Sequence, residues 1–241
     1  MTKFSAVGAT FFFRTGHKCR HADRAPPMRI LSFDVGIRNL SYCLVELDDD
    51  GARLEQWDVV DVVEFSGSKA KTKSLGMMRT VDMLIKYLEH KRGDWHDARV
   101  DVVCIEQQLA RAATLKVVQF ALYTFAKVVF PDAKVTLCHA KKKLAVDLRP
   151  FGCEEEFKLP AARKRKQPAE LTKKQQEGRA KSAAYRRNKL LCVWSAGRVL
   201  AHMRLQDADA AAPFEALFEG TKKQDDLADA LMQAVAVYQK V

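Results

Sequence analysis

The chain has 241 residues, of which 48% are hydrophobic, and a formal net charge of +11. This length fits one α/β domain with an insertion, or one domain plus a small second one, and it is enough to bury a large core. No run of eighteen apolar residues occurs, so we expect no transmembrane helix and no membrane partner.

The first 27 residues are predicted to be an N-terminal extension, separate from a domain at 28–241. They are acid-poor, with Asp23 as their one acid, and they end in Pro26-Pro27. This composition is typical of a mitochondrial transit peptide, although the expected helical amphipathicity is missing. The interpretation we favour is a loose tail, or a true start at Met28.

Three antiparallel strands are predicted at the start of the domain. Residues 30–33 and 41–45 are apolar and β-prone, with Asp34 and Gly36 in the tight turn between them. A third strand is predicted over 54–65, after a hairpin turn. An acid at the end of a buried strand must be desolvated, which is costly unless a cation or hydrogen-bond donors compensate. The alternative is that Asp34 only caps its own turn.

The apolar pattern then predicts a helix, a strand, a second helix and a final strand. These elements are expected over residues 75–88, 100–105, 110–129 and 134–138. The short apolar run at 100–105 is typical of a central strand, and it ends at Glu106. A second acid therefore follows a predicted buried strand.

A basic insertion is predicted over 141–189. It contains sixteen Lys or Arg and six Asp or Glu, whereas the rest of the chain has 25 basic and 24 acidic residues. This local excess favours a polyanion partner, most simply nucleic acid, and the alternative is a solvated disordered loop. The basic cluster at 163–166 is expected in a loop and fits DNA contact or a nuclear-localisation signal. Residues 171–205 are expected to be largely helical.

An Ala-rich linker at 208–213 is predicted to precede a C-terminal helix over 222–238. Asp226 and Asp229 are three residues apart in this helix and therefore share one face. Small residues on that face allow the helix to approach a sheet closely. Helix capping explains one of the acids, but it explains Asp229 less well because an apolar helix follows.

The six cysteines form no Cys-x-x-Cys pair. Cys43, Cys104 and Cys138 lie in apolar strand-like runs, where Cys behaves as a small hydrophobic residue. We therefore expect a reducing compartment and no zinc site. A short His-x-Cys-x-His motif at 17–21 is not expected to bind a metal.

The strand-end acids and the helical acids can meet if the two strands are neighbours and the last helix packs across their ends. Four carboxylates at one point repel one another and raise each other's pKa, a conflict that divalent cations remove. An oxygen-only ligand set suits Mg²⁺ or Mn²⁺, and two such ions can stabilise the attacking and leaving oxygens of a phosphodiester. The candidate chemistry is metal-assisted phosphodiester hydrolysis.

Three segments, Asp-Val-Gly-Ile-Arg-Asn-Leu at 34–40, Ile-Glu-Gln-Gln at 105–108 and Lys-Lys-Gln-Asp-Asp-Leu-Ala-Asp-Ala at 222–230, resemble the motifs of the RuvC-like Holliday junction resolvases. The resemblance is to the branch that poxviruses, iridoviruses and related large DNA viruses share with fungal mitochondria. It implies an α/β, ribonuclease H-like fold with a mixed five-stranded sheet flanked by helices and a basic insertion before the C-terminal helix. It also implies a Mg²⁺-dependent homodimer that cuts four-way DNA junctions by paired symmetric nicks. The expected location is a viral replication compartment, with the mitochondrion as the alternative.

Carried over residue by residue, the resemblance makes Asp34, Glu106, Asp226 and Asp229 the catalytic metal ligands. They would hold two Mg²⁺ ions per active site, with Mn²⁺ able to substitute. Asp225 is the weaker candidate beside them. The predicted DNA-binding residues are Gln108, Arg111, Lys141, Lys142, Lys143, Arg186 and Arg187.

Three other functions match parts of the sequence. An RNA–DNA hybrid nuclease or a transposase-like strand transferase would use the same fold, although the Asp-Asp-x-x-Asp ending favours the resolvases. An actin-like ATPase or sugar kinase shares the Asp-x-Gly after a strand, but it needs a second such domain and a second Gly-rich loop. A non-catalytic basic DNA-binding protein would leave the two strand-end acids unexplained.

Overall fold

A mixed five-stranded sheet is the centre of the fold, in the strand order β3-β2-β1-β4-β5. The computed structural model describes residues 26–71, 74–159 and 172–240, so the predicted extension up to residue 25 and the basic cluster at 163–166 lie outside the described residues. The strands are β1 Met28–Asp34, β2 Leu40–Asp48, β3 Gly51–Val60, β4 Val102–Glu106 and β5 Lys134–Cys138. The first three are antiparallel, whereas β4 and β5 run parallel to β1. The mixed five-stranded sheet predicted from the sequence is confirmed.

Helices cover both faces of the sheet. Their bounds are α1 Val62–Phe65, α2 Met77–His96, α3 Ala113–Val129, α4 Lys173–Gln206, α5 Ala208–Gly220 and α6 Gln224–Tyr238. Short 3₁₀ turns at Lys142–Leu144 and Arg149–Phe151 follow β5. None of the helices in the described ranges is long and apolar enough to cross a membrane.

Alternate residues of the central strands supply two separate cores. On one face, Leu31, Phe33 and Ile105 pack with α2 and α3. On the other face, Ile30 and Cys104 pack with α4, α5 and α6. This two-sided burial follows from the period-two alternation of a strand, and it explains why β1 and β4 are apolar on both faces.

The predicted third strand was too long. It ends at Val60, because the Asp61 carboxylate accepts hydrogen bonds from the backbone N–H groups of Val63 and Glu64. This N-cap starts the short helix α1 where the apolar sequence alone suggested more strand.

The predicted linker at 208–213 was also wrong, since it lies inside α5. Asp207 caps that helix by accepting a hydrogen bond from the N–H of Ala210, and alanine has the highest helix propensity. The helix α2 likewise continues past its predicted end, to His96. Trp95 anchors this last turn, since it is fully buried and donates to the side-chain oxygen of Gln56 at 3.1 Å.

Candidate active site

Asp34 and Glu106 end two neighbouring parallel strands. Phe33 of β1 is in register with Ile105 of β4, so the next residue of each strand, an acid in both, lies at the same edge of the sheet. The sequence predicted the two acids at strand ends, and the strand order makes them neighbours.

The helix α6 brings two further acids to this edge. Its Gln233 is fully buried and donates to the hydroxyl of Ser32 and the carbonyl of Phe33, both at 3.1 Å. The indole N–H of Trp57 donates to the carbonyl of Leu227 at 3.0 Å. These bonds fix α6 against the sheet, and its first turns then carry Asp226 and Asp229 beside the strand ends.

The four acids line one cavity of about 390 Å³. Side chains from β1, β4 and α6 form its acidic wall, whereas α4 supplies Tyr185, Asn188 and Lys189 opposite. The sequence reasoning did not place these last three residues at the site. They lie in a basic helical segment, and its sequence alone does not show which residues face the pocket and which face solvent.

Lys143 lies inside the acidic wall, which differs from the surface DNA contact that the sequence suggested. It is 8% exposed, and its Nζ lies 2.6 Å from Asp229 Oδ2, 3.2 Å from Glu106 Oε1 and 3.4 Å from Asp34 Oδ1. Lys143 belongs to the 3₁₀ turn after β5, the strand beside β4. The ends of three parallel strands thus meet at one edge, and the third contributes a cation where the first two contribute acids.

Burial and mutual repulsion shift the protonation of this cluster. Burial raises the pKa of Asp34 well above its usual value; the Lys143 ammonium opposes this shift, and the neighbouring carboxylates add to it. Burial and the adjacent Asp225 raise the pKa of Asp226. For Lys143, burial lowers the pKa, but Asp34, Asp229 and Glu106 outweigh it and raise the pKa above that of an ordinary lysine. The raised pKa values show that negative charge is disfavoured on these carboxyl groups, so the cluster favours uptake of a proton or a cation.

The donor set suits a hard divalent cation. All four candidate ligands offer carboxylate oxygen, the ligand that Mg²⁺ prefers. The Oδ2 atom of Asp226 is buried and accepts no hydrogen bond from the part of the chain that the structure describes. With the Lys143 ammonium between the carboxylates, no three Asp, Glu, His or Cys side chains of that part are arranged around one ion. A cation held by these four residues would need their side chains to regroup around it.

Polar side chains hold Glu106 in place. The Gln108 amide donates to Glu106 Oε2 at 2.5 Å, and the backbone N–H of Gln108 donates to the side chain of buried Gln119 at 2.7 Å. Gln108, predicted to contact DNA, is thus bonded to a candidate metal ligand while also lining the pocket.

Asp225, the weaker ligand candidate, is bonded elsewhere. Its carboxylate accepts a hydrogen bond from the Lys189 ammonium of α4. This ion pair connects the basic helix to the first turn of α6, one residue before Asp226.

The remaining predicted DNA-binding residues are on the surface. Arg111, Lys141, Lys142, Arg186 and Arg187 are exposed, and Lys141 lines the pocket. Every residue from 175 to 188 in α4 is exposed. The exposed helix leaves its basic groups available to a partner next to the acidic pocket.

Comparison with known proteins adds information about the fold. No protein-family model matches the chain, and no curated protein matches it. The crystal structure of the yeast mitochondrial Holliday junction resolvase Ydc2 is similar, with a TM-score of 0.50 at 15% identity over 89% of this chain and 79% of that one.

Two structures of RuvC from Thermus thermophilus superpose more weakly. The one in complex with a Holliday junction substrate gives a TM-score of 0.38 at 18% identity over 51% of this chain and 72% of that one. The other gives a TM-score of 0.36 at 17% identity over 55% of this chain and 85% of that one. At these identities similarity shows the fold alone, and the likeness to the yeast protein confirms the predicted α/β, ribonuclease H-like fold.

Proposed function

We propose that this chain is an endonuclease that resolves four-way DNA junctions by paired symmetric nicks, acting on recombination or replication intermediates. One observation carries the proposal: four acids from three elements line a single pocket next to an exposed basic helix. An acidic pocket with basic side chains beside it suits the binding of a phosphodiester through metal ions. The likeness to the yeast resolvase supports a branched DNA substrate over other nuclease substrates.

The metal ligands in this proposal are Asp34, Glu106, Asp226 and Asp229, which would hold two Mg²⁺ ions or Mn²⁺ in their place. When bound, such ions supply the activation of a water molecule and the neutralisation of charge on the leaving oxygen. The chain itself sets the ligand positions. The strand ends fix Asp34 and Glu106, and the bonds of Gln233 fix the helix that bears the other two.

Lys143 acts as a counter-charge of the carboxylate cluster. Its three contacts, between 2.6 and 3.4 Å, offset part of the repulsion that would otherwise destabilise the fold. With cations held by the carboxylates, the Lys143 ammonium would be available to contact a phosphate oxygen of the substrate.

The exposed half of α4 supplies affinity for the DNA backbone. Its Arg186 and Arg187, together with exposed Arg111, Lys141 and Lys142, contact phosphates without reading sequence. Such contacts make binding strongly dependent on salt.

Two opposed strands are cut by two active sites, which a homodimer provides. An apolar groove between α2 and α3 is the surface we assign to this contact. It includes Ile85, Phe120 and Val128, of which Phe120 is 56% and Val128 70% exposed. Leu115 of α3 lines the acidic pocket, so this dimer contact would be made by a helix that also borders the candidate catalytic site.

The proposal is tested with a panel of end-labelled substrates: a four-way junction, a matched linear duplex and an RNA–DNA hybrid. Cleavage of the junction in Mg²⁺, its absence in EDTA, and its loss in Asp226→Asn with junction binding retained are the expected results. Preferred cleavage of the hybrid would favour the other ribonuclease H-like activity. Binding without cleavage in either Mg²⁺ or Mn²⁺ would refute the nuclease.

A further inference from the structure

Tyr185 lies on the wall of the acidic pocket that belongs to α4. It shares one helical face with Asn188 and Lys189, three and four residues later, and all three line the pocket. Tyr185 is 63% exposed, within a helical stretch in which every residue from 175 to 188 is exposed. A large aromatic ring is therefore presented to solvent at the rim of the candidate catalytic site.

The ring is held by a cation. The Lys189 ammonium lies 5.1 Å from the centroid of the Tyr185 ring, and the same ammonium donates to the carboxylate of Asp225. Asp225 precedes the candidate ligand Asp226, so ring, ammonium and ligand helix form one connected unit. No ring–ring contact among the described residues involves Tyr185, and its exposed surface is available to a planar ligand from outside.

A nucleobase is the planar ligand that this setting fits. Bases stack on exposed aromatic side chains beside a basic groove, and every base can do so because each has a π-face. In a continuous duplex the bases are already stacked on each other, and exposing one costs pairing and stacking energy. At a branch point the continuous stacking is interrupted, so a base there is easier to capture.

We propose that the Tyr185 ring is a stacking platform for the nucleobase next to the phosphate held in the acidic pocket. This inference rests on the proposed function and adds a positioning residue to it. Stacking would fix the nucleotide relative to the carboxylates and would favour branched DNA over continuous duplex. The Tyr185 hydroxyl is not needed for this role, whereas the aromatic ring is.

The test uses photocrosslinking with the full-length protein. Junctions carry 5-iodouracil at single positions, either at the crossover or far out along an arm, and they are irradiated in EDTA so that no cleavage is needed. The crosslinked residue is identified by mass spectrometry. Tyr185→Phe, which keeps the ring, is the matched control for Tyr185→Leu, which has similar bulk without it. Because residue 185 is exposed, both variants are expected to fold, and circular dichroism checks this.

We expect a crosslink to Tyr185 from a crossover position and none from the arms. Tyr185→Phe should keep it, and Tyr185→Leu should lose it and bind the junction about tenfold more weakly. If Tyr185→Leu binds the junction as tightly as the wild-type protein, or if arm positions crosslink as well as crossover positions, the stacking platform is refuted.

The two proposals fail in different ways. If the wild-type protein crosslinks through Tyr185 but never cuts DNA in Mg²⁺, the stacking proposal is supported and the nuclease proposal is refuted. If it cuts junctions but crosslinks only through other residues, the nuclease proposal is supported and the stacking proposal is refuted. Failure to bind any junction overturns both.

Discussion

The side-chain nitrogen of Lys143 lies 2.6 Å from Oδ2 of Asp229. A lysine that follows the edge strand β5 thus neutralises an acid of the C-terminal helix, and the same ammonium contacts the acids that end β1 and β4. Removing one partner from a buried charged cluster is strongly destabilising because the others are left uncompensated. We therefore expect Lys143 to couple the stability of the fold to metal binding.

Lys143→Ala should lower the free energy of unfolding in EDTA by about 3–5 kcal/mol, since buried carboxylates lose their counter-charge. Saturating Mg²⁺ should restore much of this loss, because a ligand that binds the folded state stabilises it. Urea unfolding with and without Mg²⁺ measures both effects. The exposed neighbour variant Lys142→Ala is the control and should change stability little. A Lys143→Ala protein that is equally unstable in EDTA and Mg²⁺ would contradict the assigned metal site.

Gln233→Met should weaken both the fold and the activity. The substitution removes the donor to Ser32 and Phe33, which leaves buried acceptors unsatisfied at a cost of about 1–3 kcal/mol. Because those bonds set the position of α6, junction cleavage should fall more than junction binding. Gln239→Met, which removes the side-chain bonds to the backbone of half-buried Asp147 at the other end of α6, is the matched control. Full cleavage by Gln233→Met would show that the acids do not depend on this anchor.

Paired substitution of Arg186→Gln and Arg187→Gln should weaken binding to junction and linear duplex alike. Each lost phosphate contact reduces the slope of log affinity against log salt by about 0.9, so the pair should reduce it by roughly 2. Filter binding or fluorescence anisotropy over a salt series gives the slope. Arg53→Gln is the control, since Arg53 pairs with Glu46 toward the opposite end of the sheet. If the salt dependence of the double variant equals that of the wild-type protein, the DNA does not contact this part of α4.

Phe120→Glu should convert a dimer to a monomer. A charge introduced into the apolar groove between α2 and α3 cannot be desolvated cheaply, whereas the monomer tolerates it because Phe120 is more than half exposed. Analytical ultracentrifugation with and without junction DNA measures the mass. Leu205→Glu, at an exposed apolar residue near the end of α4, is the control and should keep the wild-type mass. A monomeric wild-type protein on the junction would contradict the assigned surface.

The sequence predicted the parts of the site that have a local signature. Asp34 and Glu106 follow short apolar runs, and Asp226 and Asp229 share a helical face, so their spacing placed them on the correct elements. Their meeting point depended on strand order, which the resemblance to a family supplied and the apolar pattern did not.

Other features depended on packing that the sequence pattern does not encode. Lys143 is the last of three consecutive lysines. The sequence of such a run does not show whether a given lysine faces DNA or is buried among carboxylates. Its position follows from the neighbouring places of β4 and β5 in the sheet. The Asp225–Lys189 pair joins residues 36 apart in the chain, so it too needed the fold. Side-chain caps at Asp61 and Asp207 decided where α1 and α5 begin.

Paired cutting at a single junction tests the central claim most directly, and a supercoiled plasmid with an extruded cruciform reports it in one gel. Two nicks within one binding event release a linear molecule, whereas separate nicks relax the cruciform and leave a nicked circle. In Mg²⁺ the wild-type protein should yield mainly linear product and Asp34→Asn should yield none. Nicked circles alone from the wild-type protein, or linear product from Asp34→Asn, would contradict resolution of junctions by this acidic pocket.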